Sequence, residues 1–565
     1  MRDLFHSRSV ARLWRDRRGV TAPTFAIMTV PLLTAVGAAI DYSSASSQRT
    51  QMQMALDSAA VRGCKDIQTQ TVATTKTNIA NAFAALYPAP TTITIDVTAA
   101  VATGAIKLTA TSAYTSSFGG LFGQTKIDLQ SSSDCEYANN TYEVALVMDN
   151  SGSMSESAGS KTKIQASKDA ASSLIDSLYS GPTSSSRVKV SVVPFTLSVN
   201  VGSSYRTASW VDTAAQSSRH WDNFDYYNSP WKPANRFTLF DELGVTFGGC
   251  FETRPGDYAV TDVGATTGQP DSYFVPQFAP DDPGNKASST STYSFTVNGK
   301  ATSYSYENSY LDDNTSGSGQ CTFNKVAYGN QLSEVDKALT KLCKYKGNPS
   351  KNISNSRGPN YMCNGQPLLR MSNDTATIKS KINSMVANGN TNIFEGFMWG
   401  WRTISPNGPF ADGRIYGQQP GGQPNNVKVI ILLTDGMNAW QALSNPNGSR
   451  YAPAGFLQNT VSTAAGYSKV GRFAPIVTTT EAQGEAAMDS RLTTGCANAK
   501  AKGVIVYTIG FAQTASDVNS TVLKACASAD PNTGNPLYYY AANSTQVDAV
   551  FKDISNHLSE LRLTK

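Results

Sequence analysis

The sequence predicts an α/β protein. It has a doubly wound, mostly parallel sheet interrupted by a large cysteine-containing insertion, preceded by a transmembrane helix and then by a further helix with a small antiparallel sheet. Three observations predict this. Val20–Ile40 is an uncharged, largely apolar run, segments of period two follow around residues 93–129, and near-continuous apolar strands alternate with helical stretches after Cys135.

The N-terminal tail, 1–19, holds six Arg against two Asp, which is +4 of the chain's formal +5. The run 20–40 has 21 residues and, at about 1.5 Å per residue, matches a bilayer core of about 30 Å. Arg12, Arg15, Arg17 and Arg18 precede it and Asp41 follows, so the positive-inside bias places the N-terminus in the cytoplasm and exports the rest. A cleaved leader is the competing reading of the same run. Pro23 and Pro31 are compatible with a span, because neighbouring groups satisfy the backbone they free. From Asp41 to about Leu86 no strong turn signal appears, and Met52, Leu56, Ala59 and Ala60 share a helical face, which predicts a long helix continuing out of the membrane. Beyond Pro88 the period changes to two: Ile93, Ile95 and Val97, then Ile106 and Leu108, then Ile127 and Leu129 predict a small antiparallel sheet within 41–135.

The domain 136–565 begins with a strand at 144–149, a helix near 163–179 and a strand at 187–195. Strands follow at 427–435, 503–511 and 537–541, and a helix at about 545–561 closes the pattern. Strands this continuously apolar belong to a parallel sheet covered on both faces. Between about 197 and 371 the periodicity is lost in a segment rich in Tyr, Asn, Ser and Gly. Its Trp and Tyr content and its four cysteines predict a folded, crosslinked insertion. Cys496 and Cys526 flank the strand 503–511 and are placed to bridge its neighbouring helices, with two separately buried thiols as the alternative.

Composition narrows the function. Outside the tail the chain carries a formal charge of only +1, with Lys and Arg scattered, which gives no footprint for a phosphate backbone and argues against nucleic acid. The eight cysteines lack CxxC pairs, and the three histidines are dispersed at His6, His220 and His557, so a zinc site or a Ser-His triad has little material. No Walker-type phosphate loop occurs. These features point away from an enzyme and towards disulfides formed in an oxidising compartment.

The strand 144–149 ends in Asp149-Asn-Ser151-Gly-Ser153, which gathers oxygen ligands at the carboxyl end of a buried strand, where ligands of open α/β sheets bind. Thr391 lies in a tight loop opening a helix, and Asp435 ends another apolar strand in Leu-Leu-Thr-Asp-Gly. Taken singly, each piece is ordinary turn and capping chemistry. Together, DxSxS, the Thr loop and TDG resemble the metal-ion-dependent adhesion site of von Willebrand factor A-type domains. The resemblance implies that Ser151, Ser153 and Thr391 offer hydroxyls directly to a divalent metal while Asp149 and Asp435 hold coordinated waters. Hard all-oxygen ligands suit Mg²⁺, with Mn²⁺ and Ca²⁺ as alternatives, and an acidic side chain of a partner would fill the remaining position. A metal that only stabilises the fold stays open beside that reading.

The arginine-rich start, Gly19, the apolar anchor, Ala-Leu-Asp-Ser-Ala-Ala at 55–60 and the C-terminal domain together resemble the TadG-like Flp/Tad pilus-assembly proteins. Thr391–Pro406 and the strand 507–511 resemble that family's form of the domain. The resemblance implies a single-pass protein of the bacterial inner membrane, with its bulk periplasmic or extracellular, that acts in Flp/Tad pilus assembly through other assembly or envelope proteins. Thr24 stands where peptidase-processed pilin-like subunits carry Glu, which suits an unprocessed anchor and leaves open whether the chain enters the fibre. A metal-dependent surface adhesin or an envelope scaffold is the alternative function.

Overall fold

The computed structural model describes residues 21–560 except 68–69, 98–104, 137–139, 181–186, 223, 225–234, 285–290, 298–299, 314–341, 418–424, 458–459, 464–465 and 470–479. The basic tail, His6 and Cys321 lie outside the described residues. The described residues before Asn140, with Glu560, gather in one compact unit and those of 140–559 in another.

In the first unit, helix α1 (Thr21–Asp66) runs for 46 residues. Among the described residues it is the one helix long and apolar enough to cross a membrane. Phe25, Ile27, Met28, Val30, Leu32 and Leu33 on its first half are exposed, a bare apolar surface consistent with single-pass anchoring. Pro31 lies within the helix, and the Thr29 and Thr34 hydroxyls donate to the carbonyls of Phe25 and Val30, which keeps polar groups satisfied within the helix itself.

The second half of α1 buries Met52, Leu56, Ala59 and Ala60. The sequence suggests one helix to about Leu86, but α1 stops at Asp66 and α2 spans Val72–Leu86. Two side chains fix this break. The Thr71 hydroxyl caps α2 by accepting from the Thr74 N–H at 3.2 Å, and the Asp66 carboxylate accepts from Arg62 and, across the break, from Asn78 at 2.8 Å. Gly63 permits the close approach of the two helices, since a Cβ there would stand 2.5 Å from Ile79 Cδ1. Strands β1 (Thr91–Asp96), β2 (Ala105–Thr115) and β3 (Lys126–Glu136) form an antiparallel sheet in that order. Ile106, Leu108 and Ala110 point inward from β2 onto the α1–α2 core, and a Cys64–Cys135 disulfide ties α1 to β3.

The second unit runs β4 (Thr141–Asp149), α3 (Lys163–Leu178), β5 (Val188–Phe195), α4 (Arg236–Leu243), the hairpin β6 (Ser291–Val297) and β7 (Lys300–Tyr306), then β8 (Leu369–Ser372). It continues through α5 (Thr375–Asn383), α6 (Ile393–Ile404), β9 (Asn426–Thr434) and the short pair β10 (Thr460–Thr463) and β11 (Gly466–Lys469). Helix α7 (Glu481–Ala501), β12 (Ile505–Phe511), α8 (Ser520–Cys526), β13 (Tyr538–Ala541) and α9 (Ser544–Glu560) complete it. The six-stranded sheet has the order β13-β12-β9-β4-β5-β8, parallel throughout except for β8, which pairs antiparallel with β5 at the edge. Every residue of β4 is buried, as a strand covered on both faces requires.

Helix α6 lies close against this sheet because two of its residues lack side chains. A Cβ at Gly396 would stand 2.6 Å from the Phe195 ring, and at Gly400 it would meet Val147 Cγ2. The described part of the insertion joins the same core. Phe274, Phe251 and Trp210 pack on Trp399 of α6 with ring centroids 5.2, 6.2 and 6.5 Å away, and a Cys250–Cys363 disulfide crosslinks it internally. Cys496–Cys526 joins α7 to α8, the helices on either side of β12 in the chain.

Candidate metal centre

Strands β4 and β9 are parallel neighbours, so their carboxyl ends deliver Asp149 and Asp435 to one edge of the sheet. Asp149 is fully buried, and its carboxylate accepts from the Ser151 N–H and the Thr434 hydroxyl, each at 2.7 Å. The first of these bonds bends the chain after β4 so that Ser151 and Ser153 face back, with their hydroxyl oxygens 3.0 Å apart. The Ser153 hydroxyl donates to Asp435 Oδ1 at 2.7 Å. Ser151, Ser153 and Asp435 thus form one chain of hydrogen-bonded oxygens, which Asp149 joins through the Ser151 N–H.

Thr391 arrives on a separate loop, held by backbone bonds to both others. Gly152 N–H donates to the Gly389 carbonyl at 2.8 Å, Asn388 N–H to the Asn150 carbonyl at 2.7 Å, and Ala439 N–H to the Thr391 carbonyl at 2.9 Å. Asn392 caps α6 by accepting from the Glu395 N–H, and its own side-chain amide donates to the Leu197 carbonyl. Gly436, next to Asp435, lies beside Thr391: a Cβ there would stand in ordinary contact, 3.6 Å from Thr391 Oγ1.

The sequence reading missed Lys163. Its ammonium donates to Asp435 Oδ2 and to the Glu156 carboxylate, both at 2.8 Å, from a side chain that is almost wholly buried. Burial opposes its charge, but the two carboxylates outweigh that and hold its pKa above the ordinary lysine value. One sequence signal pointed to it: Lys163 is the first residue of α3, where the helix dipole disfavours a cation unless carboxylates face it. The Asp149 carboxyl is shifted upward from its ordinary value. Burial first, and the neighbouring charge of Asp435 second, push it up to about 7.

Among the described residues no group of three or more His, Cys, Asp or Glu could hold a metal, so a cation here would depend on hydroxyls beside two carboxylates. Such a donor set is hard and all-oxygen. Ligands about 2.1 Å from a Mg²⁺ ion in an octahedron stand about 3 Å from one another, and the hydroxyl oxygens of Ser151 and Ser153 stand 3.0 Å apart. The residues fit a small hard cation. A cleft of about 1120 Å³, lined by Tyr361, Asn364, Arg450 and the loop 388–390 among others, opens beside the Thr391 loop.

Residues 19–66 match the family model of putative Flp pilus-assembly TadE/G-like proteins. That match supports a pilus-associated role and falls on α1 and the residues just before it. No curated protein matches the chain. Among solved structures, similar chains include the pilus adhesin SpaC from Lactobacillus rhamnosus GG, at 11% identity and a TM-score of 0.28, covering 81% of this chain and 33% of that one. The vWF domain of the type V pili tip protein Mfa5 from Porphyromonas gingivalis is similar at 10% identity and a TM-score of 0.30, over 75% of this chain and 97% of that one. The pilus adhesin RrgA from Streptococcus pneumoniae is similar at 11% identity and a TM-score of 0.27, over 83% and 49%. The chain spans a third of SpaC's length and half of RrgA's. At such TM-scores the sheet's own topology and oxygen cluster carry the functional argument.

Proposed function

We propose that the chain is a non-enzymatic, membrane-anchored component of Flp/Tad pilus assembly. In this reading the unit 140–559 is a doubly wound von Willebrand A-type domain that engages its partner through a divalent metal. The observation that carries the metal reading is the convergence of Asp149, Ser151, Ser153 and Asp435, from the ends of two adjacent parallel strands, with the Thr391 loop bonded to both. Ser151, Ser153 and Thr391 would hold Mg²⁺ directly, and Asp149 and Asp435 would hold it through water. Once bound, the metal supplies a positive centre for a carboxylate of another envelope protein. The match over residues 19–66 supports the pilus setting, and the apolar half of α1 supports the anchor, with the N-terminus cytoplasmic and the second unit exported.

Two measurements test this. Mg²⁺ at a hundred times its dissociation constant adds about 2.7 kcal/mol to stability, so it raises the melting temperature of wild type and leaves Asp149→Ala unmoved. Equal shifts in both proteins would exclude the site. Deletion of the gene in its host is expected to abolish surface pili counted by electron microscopy, with rescue by wild type and not by folded Asp149→Ala. Unchanged pili would overturn the assembly role in favour of a surface adhesin.

A further inference from the structure

The turn between β2 and β3 folds back against α1 at the boundary of its apolar run. Asp41, one residue past that run, is buried although the helix before it is bare. Its carboxylate accepts from the Ser116 hydroxyl and from the backbone N–H groups of Ser117, Phe118 and Gly119, the last three each at 2.9 Å. One turn earlier, Gly37 receives Phe118. A Cβ at Gly37 would stand 2.9 Å from Phe118 Cβ, so the aromatic side chain begins against the helix backbone inside the apolar run.

The turn is built for an apolar neighbour. From Ser116 to Thr125 no residue is charged, and the sequence Phe118-Gly-Gly-Leu-Phe122 forms its tip, with Gly119–Phe122 in a short 3-10 turn. Phe118 remains 41% exposed after packing on Gly37, and Tyr42, next to Asp41, is 76% exposed. Tyr at the end of a spanning helix is characteristic of the membrane interface, and Phe118 from the turn stands one helical turn inside that level. A bare carboxylate there is costly, and four donors from the turn satisfy it.

We infer that the β2–β3 turn is a second membrane contact, in which Asp41 clamps the turn so that Phe118 enters the outer boundary of the same bilayer that α1 crosses. The occupant is phospholipid, because Phe118 lies alongside residues whose exposed neighbours form the continuous apolar face of the anchor. The inference rests on the anchor reading. The clamp fixes how deep α1 sits: Gly37 lies about 6 Å inside the Asp41 level at 1.5 Å per residue, and the turn cannot follow it further in without burying Asp41 and its donors.

The test uses the full chain in phosphatidylcholine–phosphatidylglycerol vesicles whose acyl chains carry a nitroxide quencher. An environment-sensitive fluorophore is attached to a single added cysteine at Ile27→Cys or Phe118→Cys. Quenching at both positions is expected, and adding Asp41→Ala is expected to abolish quenching at 118 while leaving it at 27. Quenching at 27 alone overturns the inference and leaves the anchor standing, which includes the case in which another copy of the chain covers Phe118. Absence of quenching at 27 overturns the anchor and the inference together. Quenching at 118 that survives Asp41→Ala overturns the clamp.

Discussion

Asp435 meets two different kinds of donor, the Ser153 hydroxyl on one oxygen and the Lys163 ammonium on the other. The ammonium already supplies positive charge where a metal would sit nearby, so the two compete electrostatically. Lys163→Gln is expected to tighten Mg²⁺ binding roughly tenfold while lowering the stability of the metal-free protein by about 3 kcal/mol, since it strands a buried carboxylate. Calorimetric titration and urea unfolding of the two proteins check both halves. A second buried carboxylate gives a pH dependence away from the candidate metal centre. Asp282 is pushed up to about 7, chiefly by burial, while its carboxylate accepts from the Asn308 N–H and the Asn447 amide. Its folded pKa exceeds its unfolded value of 3.8, so the folded state binds the proton more tightly. The stability it contributes is therefore fully present below pH 3.8 and lost as pH rises through about 7. In Asp282→Asn, where Asn447 can turn its amide oxygen to the new donor, the fall in stability between pH 5 and pH 8 is expected to be shallower, as read from unfolding midpoints across that range.

Among elements, α6 links packing to the site, because the loop that opens it carries Thr391 and the glycines that seat it lie on its sheet-facing side. Gly400→Ala places a methyl group against Val147 and is expected to cost about 1–3 kcal/mol. Because the helix must move away from the sheet, Mg²⁺ affinity should fall as well, a coupling that parallel urea and metal titrations would detect. The strands of the large sheet were legible because β4, β5, β9 and β12 are nearly unbroken apolar runs, a pattern that sets type and length without tertiary information. Strand β8 was not, because Leu-Arg-Met-Ser at a half-covered edge carries no such run. The helix break after Asp66 was hidden for another reason. It depends on Thr71 and on the Asp66–Asn78 contact, and neither differs locally from helical sequence. Asp149, Ser151 and Ser153 share one local motif, Asp435 and Thr391 join them only through the resemblance to a known site, and Lys163 requires knowledge of which carboxylate the start of α3 faces.

For the whole molecule, the insertion was the least legible part. Its aromatic residues reach Trp399 across more than a hundred residues of sequence with no repeating period, so composition could predict that it folds but not onto what. The two compact units lead us to expect two unfolding transitions. The Cys64–Cys135 bridge closes a loop of 71 residues within the first unit, worth about 4 kcal/mol in the chain-entropy account. Cys64→Ser with Cys135→Ser is expected to lower one calorimetric transition and leave the other in place; displacement of both would show that the units unfold as one.

The position of β4 has a mechanical consequence. In the proposed reading, tension on the anchor enters the second unit at Asn140, the residue before β4, and tension from a partner enters largely through Ser151 and Ser153, just past Asp149 at its end. The force path between the two then includes this strand, loaded along its length and laced on both sides to β9 and β5. Such a strand resists in shear, with the ladders on both flanks sharing the load, rather than peeling bond by bond. A chain anchored before this strand and gripping just after it, as proposed, would be loaded along the direction in which the sheet resists best.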